Sequence, residues 1–273
     1  MEQNKQLVMF DDIEKLPARR YSKKDALSNI RSLYAMWKRG ELGGEFMPED
    51  NNPHLPKDSN DNYIYFTLPM ALNYQRNSYK LWKSALATYN DKETTYLFDP
   101  ASVLKNSEER IRKDLCQHKL ALQPNKHTSI WITICTTLEN QFGGSVKSFF
   151  RDCGYRVSNI LNEIQNKNKK GYPYLSGNKI AHYWLYVLTR YTDLNLIDCE
   201  NISVAPDTHV IQATQMLGLI DSDLVGPSAQ EAAVDAWKEV LRDTELQPID
   251  IHTPMWLWSR GGFAKIRDYD GSL

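Results

Sequence analysis

The sequence predicts an all-α protein, on three observations. Apolar residues recur at the three-to-four spacing of a helix face, as at Ala181, Trp184, Leu185 and Leu188. Helix-start signals, small polar residues or proline, precede several of these runs. Strand-like alternation is short and confined to a few places.

In chain order, Leu27, Ile30, Tyr34 and Trp37 form a first stripe behind a capping box at Ser22 and Asp25. Residues 40–62, with Gly43, Gly44, Pro48, Pro53 and Pro56, read as a loop. Tyr63–Leu68 is a short strand or the entry to a helix, and Pro69–Tyr89 reads as one helix through Leu72, Tyr79, Trp82 and Leu86. Further helices are expected near 102–118, 126–141, 144–153 and 155–167. Asn178 to about Tyr191 follows, then Thr208–Leu219 with Val210, Ala213 and Leu217 inward. Ser228 and Glu231 suggest a capping box, and Thr253-Pro254 the start of a last helix.

Composition is that of an ordinary globular chain, 41% hydrophobic and 25% charged, which leaves room for one large domain or two lobes. No apolar run is long enough for a membrane span, and the polar N-terminus lacks a signal-peptide core, so a cytoplasmic, non-membrane protein is expected. Cys116, Cys135, Cys153 and Cys199 are too scattered for a tight zinc site, and Cys135 sits in an apolar run as a buried thiol would. His118, His127 and His182 lack a metal-ligand partner at suitable spacing. A net charge of −1 does not advertise a nucleic-acid binder, but the charge is unevenly spread. Residues 18–39 hold seven bases and one acid, Lys167, Lys169 and Lys170 cluster ahead of Lys179, and residues 219–250 hold eight acids and two bases. That polarity suits either a basic face for phosphates or solvated helix surfaces.

Two segments carry chemistry: Gly177-Asn178-Lys179-Ile180-Ala181 and Val204-Ala205-Pro206-Asp207-Thr208-His209-Val210, each leading into an apolar helix. A lysine amine can displace a base from a sugar carbon and form a Schiff base, provided burial or nearby positive charge keeps part of it neutral. A carboxylate stabilises the oxocarbenium-like charge that builds as the base leaves. A glycine two residues before the lysine permits close approach of a phosphate, and the amides of a helix N-terminus bind that anion. Taken singly, such a lysine is usually a solvated surface group and such an aspartate an N-cap.

These segments resemble the G-x-K-x-A core and the V-D-x-H segment of the helix-hairpin-helix DNA glycosylases, notably endonuclease III and the 8-oxoguanine glycosylases. The resemblance covers roughly residues 120–265 and implies a two-lobed helical fold. It implies that Lys179 is the Schiff-base nucleophile and Asp207 the essential carboxylate. Ser176, Gly177 and His209 would then meet backbone phosphate. Ile134-Cys135-Thr136-Thr137 through Asn140 is similar to the stretch that fills the gap left by a flipped base. Trp256-Leu257-Trp258-Ser259-Arg260 resembles the helix bordering the base pocket. Trp256 and Trp258 point to different faces, so at most one lines that pocket, and Arg260 either contacts phosphate or is a surface group.

The hairpin departs from the family's L-P-G-x-G by keeping only the second glycine, so the cation cage of that pattern is not supported. No iron–sulfur cluster is expected. The interval from Lys179 to Asp207 is longer than in endonuclease III, an excess assigned to a surface insertion around Tyr191–Asn201. Residues 1–120 are expected to form an additional helical region that contributes to a second lobe with the C-terminus, and 121–273 the catalytic region. The resulting expectation is a monomeric enzyme acting on duplex DNA that carries a modified or damaged base. A nucleoside or nucleotide N-glycosidase and a non-catalytic DNA-binding module are the alternatives.

Overall fold

The computed structural model describes residues 23–42 and 46–266, and it is helical. Its α-helices are α1 (Lys23–Lys38), α2 (Asn60–Thr67), α3 (Ser78–Asn90), α4 (Pro100–Leu104), α5 (Glu108–Gln117), α6 (Pro124–Phe142), α7 (Val146–Asp152), α8 (Val157–Asn162), α9 (Asn178–Tyr191), α10 (Thr208–Met216), α11 (Gly226–Leu241) and α12 (Pro248–Arg260). Among the described residues no β-strand forms; Arg156 and Ile197 make one isolated parallel bridge. No helix among them is long and apolar enough to cross a membrane.

The chain divides into two compact units that are not separated by a cut near residue 120. Of the described residues, the larger comprises 46–205 and 244–253, and the smaller comprises 23–42, 206–243 and 254–266.

Aromatic packing organises the larger unit. Trp82, Trp131, Trp184, Tyr65, Phe66, Phe149 and Phe150 are fully buried in its core. On α9 the predicted inward residues Ala181, Trp184, Leu185 and Leu188 are all buried. The Trp184 indole donates to Thr67 Oγ1 at 3.0 Å and packs 5.3 Å from the Phe150 ring, joining α9 to α2 and α7. Asn62 Nδ2 closes the far end of α9 by donating to the Tyr191 carbonyl at 2.9 Å. Gly143 ends α6 in the left-handed conformation, φ 59°, which lets the Gly143 and Gly144 amides return to the Glu139 and Leu138 carbonyls. In the smaller unit Val210, Ala213 and Leu217 are buried as the sequence predicts, and the Trp237 indole donates to Thr214 Oγ1 at 2.9 Å, tying α11 to α10.

Several helix boundaries differ from the sequence reading. Of the two readings of Tyr63–Leu68 the helical one holds, with α2 running to Thr67 and Leu68 as its C-cap. Pro69–Tyr89 is not one helix: a 3-10 turn at Pro69–Leu72 is followed by a break with Gln75 at φ 49°, and Asn77 caps α3 by accepting from the Lys80 amide at 3.0 Å. Ser107 likewise splits 102–118 by capping α5. A π-helical turn at Glu163–Lys167 continues α8. On α1 the buried stripe is Ala26, Ile30, Leu33 and Met36, whereas Leu27, Tyr34 and Trp37 are half-buried; Ser22 of the proposed capping box lies outside the described residues. Ser228 does not cap α11, which begins at Gly226-Pro227, and the Ser228 hydroxyl donates back to the Val225 carbonyl at 2.9 Å. The last helix starts earlier than Pro254, because Pro248 opens it and Asp250 accepts from the Gln247 amide at 2.9 Å. Pro254 is therefore inside a helix, where it has no amide to donate.

The stretch after α9 is not a loose surface insertion. Leu194, Leu196, Ile202 and Val204 are buried. The Ile197 amide donates to the Tyr155 carbonyl at 2.8 Å, and Asp198, at φ 54°, accepts from the Val157 amide at 2.7 Å and the Ser158 hydroxyl at 2.6 Å.

A close approach holds the segment leading to α9 against α6. A Cβ on Gly171 would lie 2.8 Å from Thr137 Oγ1 and 3.0 Å from Thr137 Cγ2. Thr137 is β-branched and buried, so it has little freedom to yield. Gly171→Ala is expected to destabilise the protein by about 1–3 kcal/mol through overpacking, read as a lower urea midpoint with an unchanged slope.

Candidate functional site

The residues singled out by sequence fall in both units: Asn140, Ser176, Gly177 and Lys179 in the larger, and Asp207, His209, Trp256, Trp258 and Arg260 in the smaller. Each group has its own geometry.

In the larger unit, residues 172–177 form a tight hairpin. The carbonyls of Tyr172, Pro173 and Tyr174 accept from the amides of Ser176, Leu175 and Gly177 at 2.9, 2.8 and 3.1 Å. Ser176 is buried beneath it, while Gly177, Asn178 and Lys179 are exposed. Gly177 is the N-cap of α9 with φ −65°, and no side chain caps the helix there. The first amides of α9 thus end at an exposed hairpin, as an anion site at a helix start requires. A side chain at Gly177 would press its Cβ to 3.2 Å from the Tyr174 carbonyl. Lys179 projects from the first turn and is exposed, so the protein does not itself supply the burial that nucleophile activation by desolvation needs. Asn140 lies on an exposed part of α6; its neighbours Thr137 and Gln141 bond to Gly171 and Asn168, just before the hairpin.

Behind Lys179, α9 carries a feature that sequence reading missed. Tyr183, Tyr186 and Arg190 follow at helical spacing from Lys179. The Tyr183 hydroxyl donates to Glu49 Oε1 at 2.8 Å, and the Trp82 indole donates to the same oxygen at 2.7 Å. Glu49 is completely buried, and burial pushes its carboxyl up to about 7 despite these two donors. Among the described residues, Glu49 Oε2 and the Tyr65 and Tyr186 hydroxyls have no hydrogen-bond partner. The neighbouring Asp50 accepts from the Tyr191 hydroxyl at 2.7 Å, and the His252 ring packs 5.1 and 5.0 Å from those of Tyr183 and Tyr186. Nothing in Met47-Pro48-Glu49-Asp50 flags a buried acid; the one available signal was the tyrosine one turn after Lys179.

In the smaller unit, Asp207 is the N-cap of α10, its Oδ1 accepting from the Val210 amide at 2.9 Å. It is half-buried, and its charge is felt by His209, whose basicity burial lowers, with Asp207 opposing and Arg260 adding to that effect. His209 Nδ1 lies 3.1 Å from Ser259 Oγ, and Ser259 donates to Gln212 Oε1 at 3.2 Å. A hydroxyl has one proton, so Nδ1 is assigned as the donor to Ser259, leaving the Nε2 lone pair available. The Trp256 ring meets the His209 ring edge-on at 5.3 Å, with the Arg260 guanidinium 5.6 Å above the indole. Asp207, His209, Trp256 and Arg260 are therefore one cluster. Trp258 is not part of it: its indole donates to the Ala264 carbonyl at 2.7 Å and packs on Phe263, so it serves the local core.

Cys116, Cys135, Cys153 and Cys199 are all free thiols, and Cys135 is buried with its acidity suppressed by burial. Among the described residues no group of three or more His, Cys, Asp or Glu side chains is arranged to hold a metal ion. No protein-family model matches the chain, and no curated protein matches it.

Proposed function

We infer that the chain is a DNA glycosylase with an associated lyase step, acting on a modified or damaged base flipped from the duplex. The observation that carries this reading is that both sequence-selected residues stand at the start of a helix: Lys179 in the exposed first turn of α9 behind a glycine N-cap, and Asp207 as the N-cap of α10. Further support comes from His209, which feels the charge of Asp207 and meets edge-on the ring of Trp256, itself covered by the Arg260 guanidinium.

In this mechanism the neutral Lys179 amine attacks C1′ as the C1′–N bond breaks, and the base departs with the bonding electron pair and takes up a proton. Asp207 stabilises the positive charge on the sugar, and the proton lost by the amine is the one that the departing base takes up. The sugar ring then opens to a Schiff base between Lys179 and C1′, and loss of a C2′ proton expels the 3′ phosphate by β-elimination. Because Lys179 is exposed in the free protein, bound DNA must exclude water from it before attack.

Borohydride trapping on duplexes carrying a panel of modified bases tests this directly. A covalent adduct is expected with the wild type and none with Lys179→Gln. Base release without an adduct would retain the glycosylase and remove the lyase step. If no duplex is cut or trapped, the reading fails, and release of base from free nucleosides or nucleotides would favour the small-molecule N-glycosidase.

A further inference from the structure

An aromatic residue in the left-handed region is strained, since its Cβ crowds the backbone. Tyr174 holds that conformation, with φ 62°, three residues ahead of the N-cap of α9. The conformation sets its ring flat against that of Tyr74, with centroids 4.1 Å apart and planes 13° from parallel. Although one face is covered in this way, Tyr174 remains 39% exposed. Lys126, from the first turn of α6, brings its ammonium to 4.9 Å from the Tyr74 ring centre and 4.6 Å from that of Tyr174. The Tyr174 hydroxyl favours the charged form of that lysine by hydrogen bonding. Three separate stretches of the larger unit thus converge on two stacked rings and a solvent-facing cation.

The surrounding sequence has one sign of charge. Residues 117–127 contain Lys119 and Lys126 and no acid; residues 164–181 contain Lys167, Lys169, Lys170 and Lys179 and no acid. Packing alone does not call for a strained, solvent-facing ring beside a cation, and strain of this kind gathers where a ligand is met. A nucleotide matches both elements, because every base has a stacking face and every phosphate a negative charge.

We propose that Tyr174, stacked on Tyr74 and attended by Lys126, is a seat for one unstacked DNA nucleotide, whose base extends the tyrosine stack while its phosphate meets the ammonium. This rests on the DNA-directed reading above but assigns a contact outside the bond-breaking pair, one that orients the strand at the hairpin.

The test is binding of a fluorescent duplex containing a tetrahydrofuran abasic analogue, and of the corresponding single strand, over a series of salt concentrations. Glycine adopts positive φ without strain, so Tyr174→Gly removes the ring while suiting the backbone, and its thermal midpoint reports whether the fold is kept. Tyr174→Gly is expected to bind about tenfold more weakly with an unchanged salt slope, as loss of one stacked base predicts. Tyr174→Phe is expected to stay within about twofold, because the stacking face is retained. Lys126→Gln, a change at an exposed side chain, is expected to reduce the salt slope by about one. Wild-type-like binding and salt slope in both Tyr174→Gly and Lys126→Gln would overturn the seat while leaving the DNA reading intact. Equal losses in Tyr174→Phe and Tyr174→Gly would overturn the stacking role. Failure of the wild type to bind any DNA would overturn the seat and the DNA reading together.

Discussion

Replacing Glu49 by glutamine should remove about 3 kcal/mol of pH dependence from the stability of the protein. The folded-state carboxyl is raised from the ordinary glutamate value of 4.5 to about 7, chiefly by burial. Between those values the folded state holds a proton that the unfolded chain releases, so stability falls as pH rises through this window and levels off above about 7. His127 contributes the opposite slope: burial, helped by the charges of Arg76 and Lys126, lowers it to about 4, so its contribution is lost as pH falls from the ordinary histidine range through that value. The two nearly parallel windows mask each other in the wild type. The informative quantity is therefore the difference between wild type and Glu49→Gln, followed by urea unfolding at several pH values. The variant keeps an oxygen to accept from Trp82 and Tyr183 and has no proton to lose. It is expected to gain on the wild type steadily from about pH 4.5 to 7 and no further. Two curves that run parallel across that range would mean that Glu49 does not hold its proton in the folded protein.

At Asp207 a pair of substitutions separates structure from chemistry. The carboxylate caps α10 through the Val210 amide, and an asparagine caps nearly as well. Asp207→Asn is therefore expected to keep the wild-type unfolding midpoint to within about 0.5 kcal/mol, whereas Asp207→Ala should lose about 1 kcal/mol. Base release should respond otherwise, falling by about 100-fold or more in both, because each removes the charge that stabilises the sugar cation. If activity instead tracked stability, with Asp207→Asn active and Asp207→Ala impaired, Asp207 would be a helix cap and no more.

The helices that carry these two residues were the most legible part of the sequence. On α9 and α10 the apolar residues repeat without interruption, and a helix start with glycine or aspartate precedes each, so pattern and cap agree. Reading failed where two signals competed. Pro254 resembled a first-turn proline, but Pro248 with Asp250 opened α12 first. Pro69 through Tyr89 held enough apolar residues for one helix, yet Asn77 gave its side chain to a new N-terminus. The buried acid was illegible for a different reason. Glu49 takes its donors from Trp82 and Tyr183, 33 and 134 residues away, and neither partner leaves a mark in the local pattern around it. The tyrosine stack escaped for the same reason, since Tyr74, Lys126 and Tyr174 meet only in the folded chain.

The interval between Lys179 and Asp207 looks in sequence like spare length. A free tether of such length would wander over a distance that grows as the square root of its residue count, and trimming it would cost little. Here the chain beyond α9 is pinned at Leu194 and Leu196, stapled to the start of α8 through Ile197 and Asp198, and buried again at Ile202 and Val204. It carries no slack as far as Ala205. A shortened version would have to uncap α8 and expose apolar side chains, so this interval is among the least forgiving places in the larger unit for a deletion, and chains of this kind have more freedom to vary their length elsewhere.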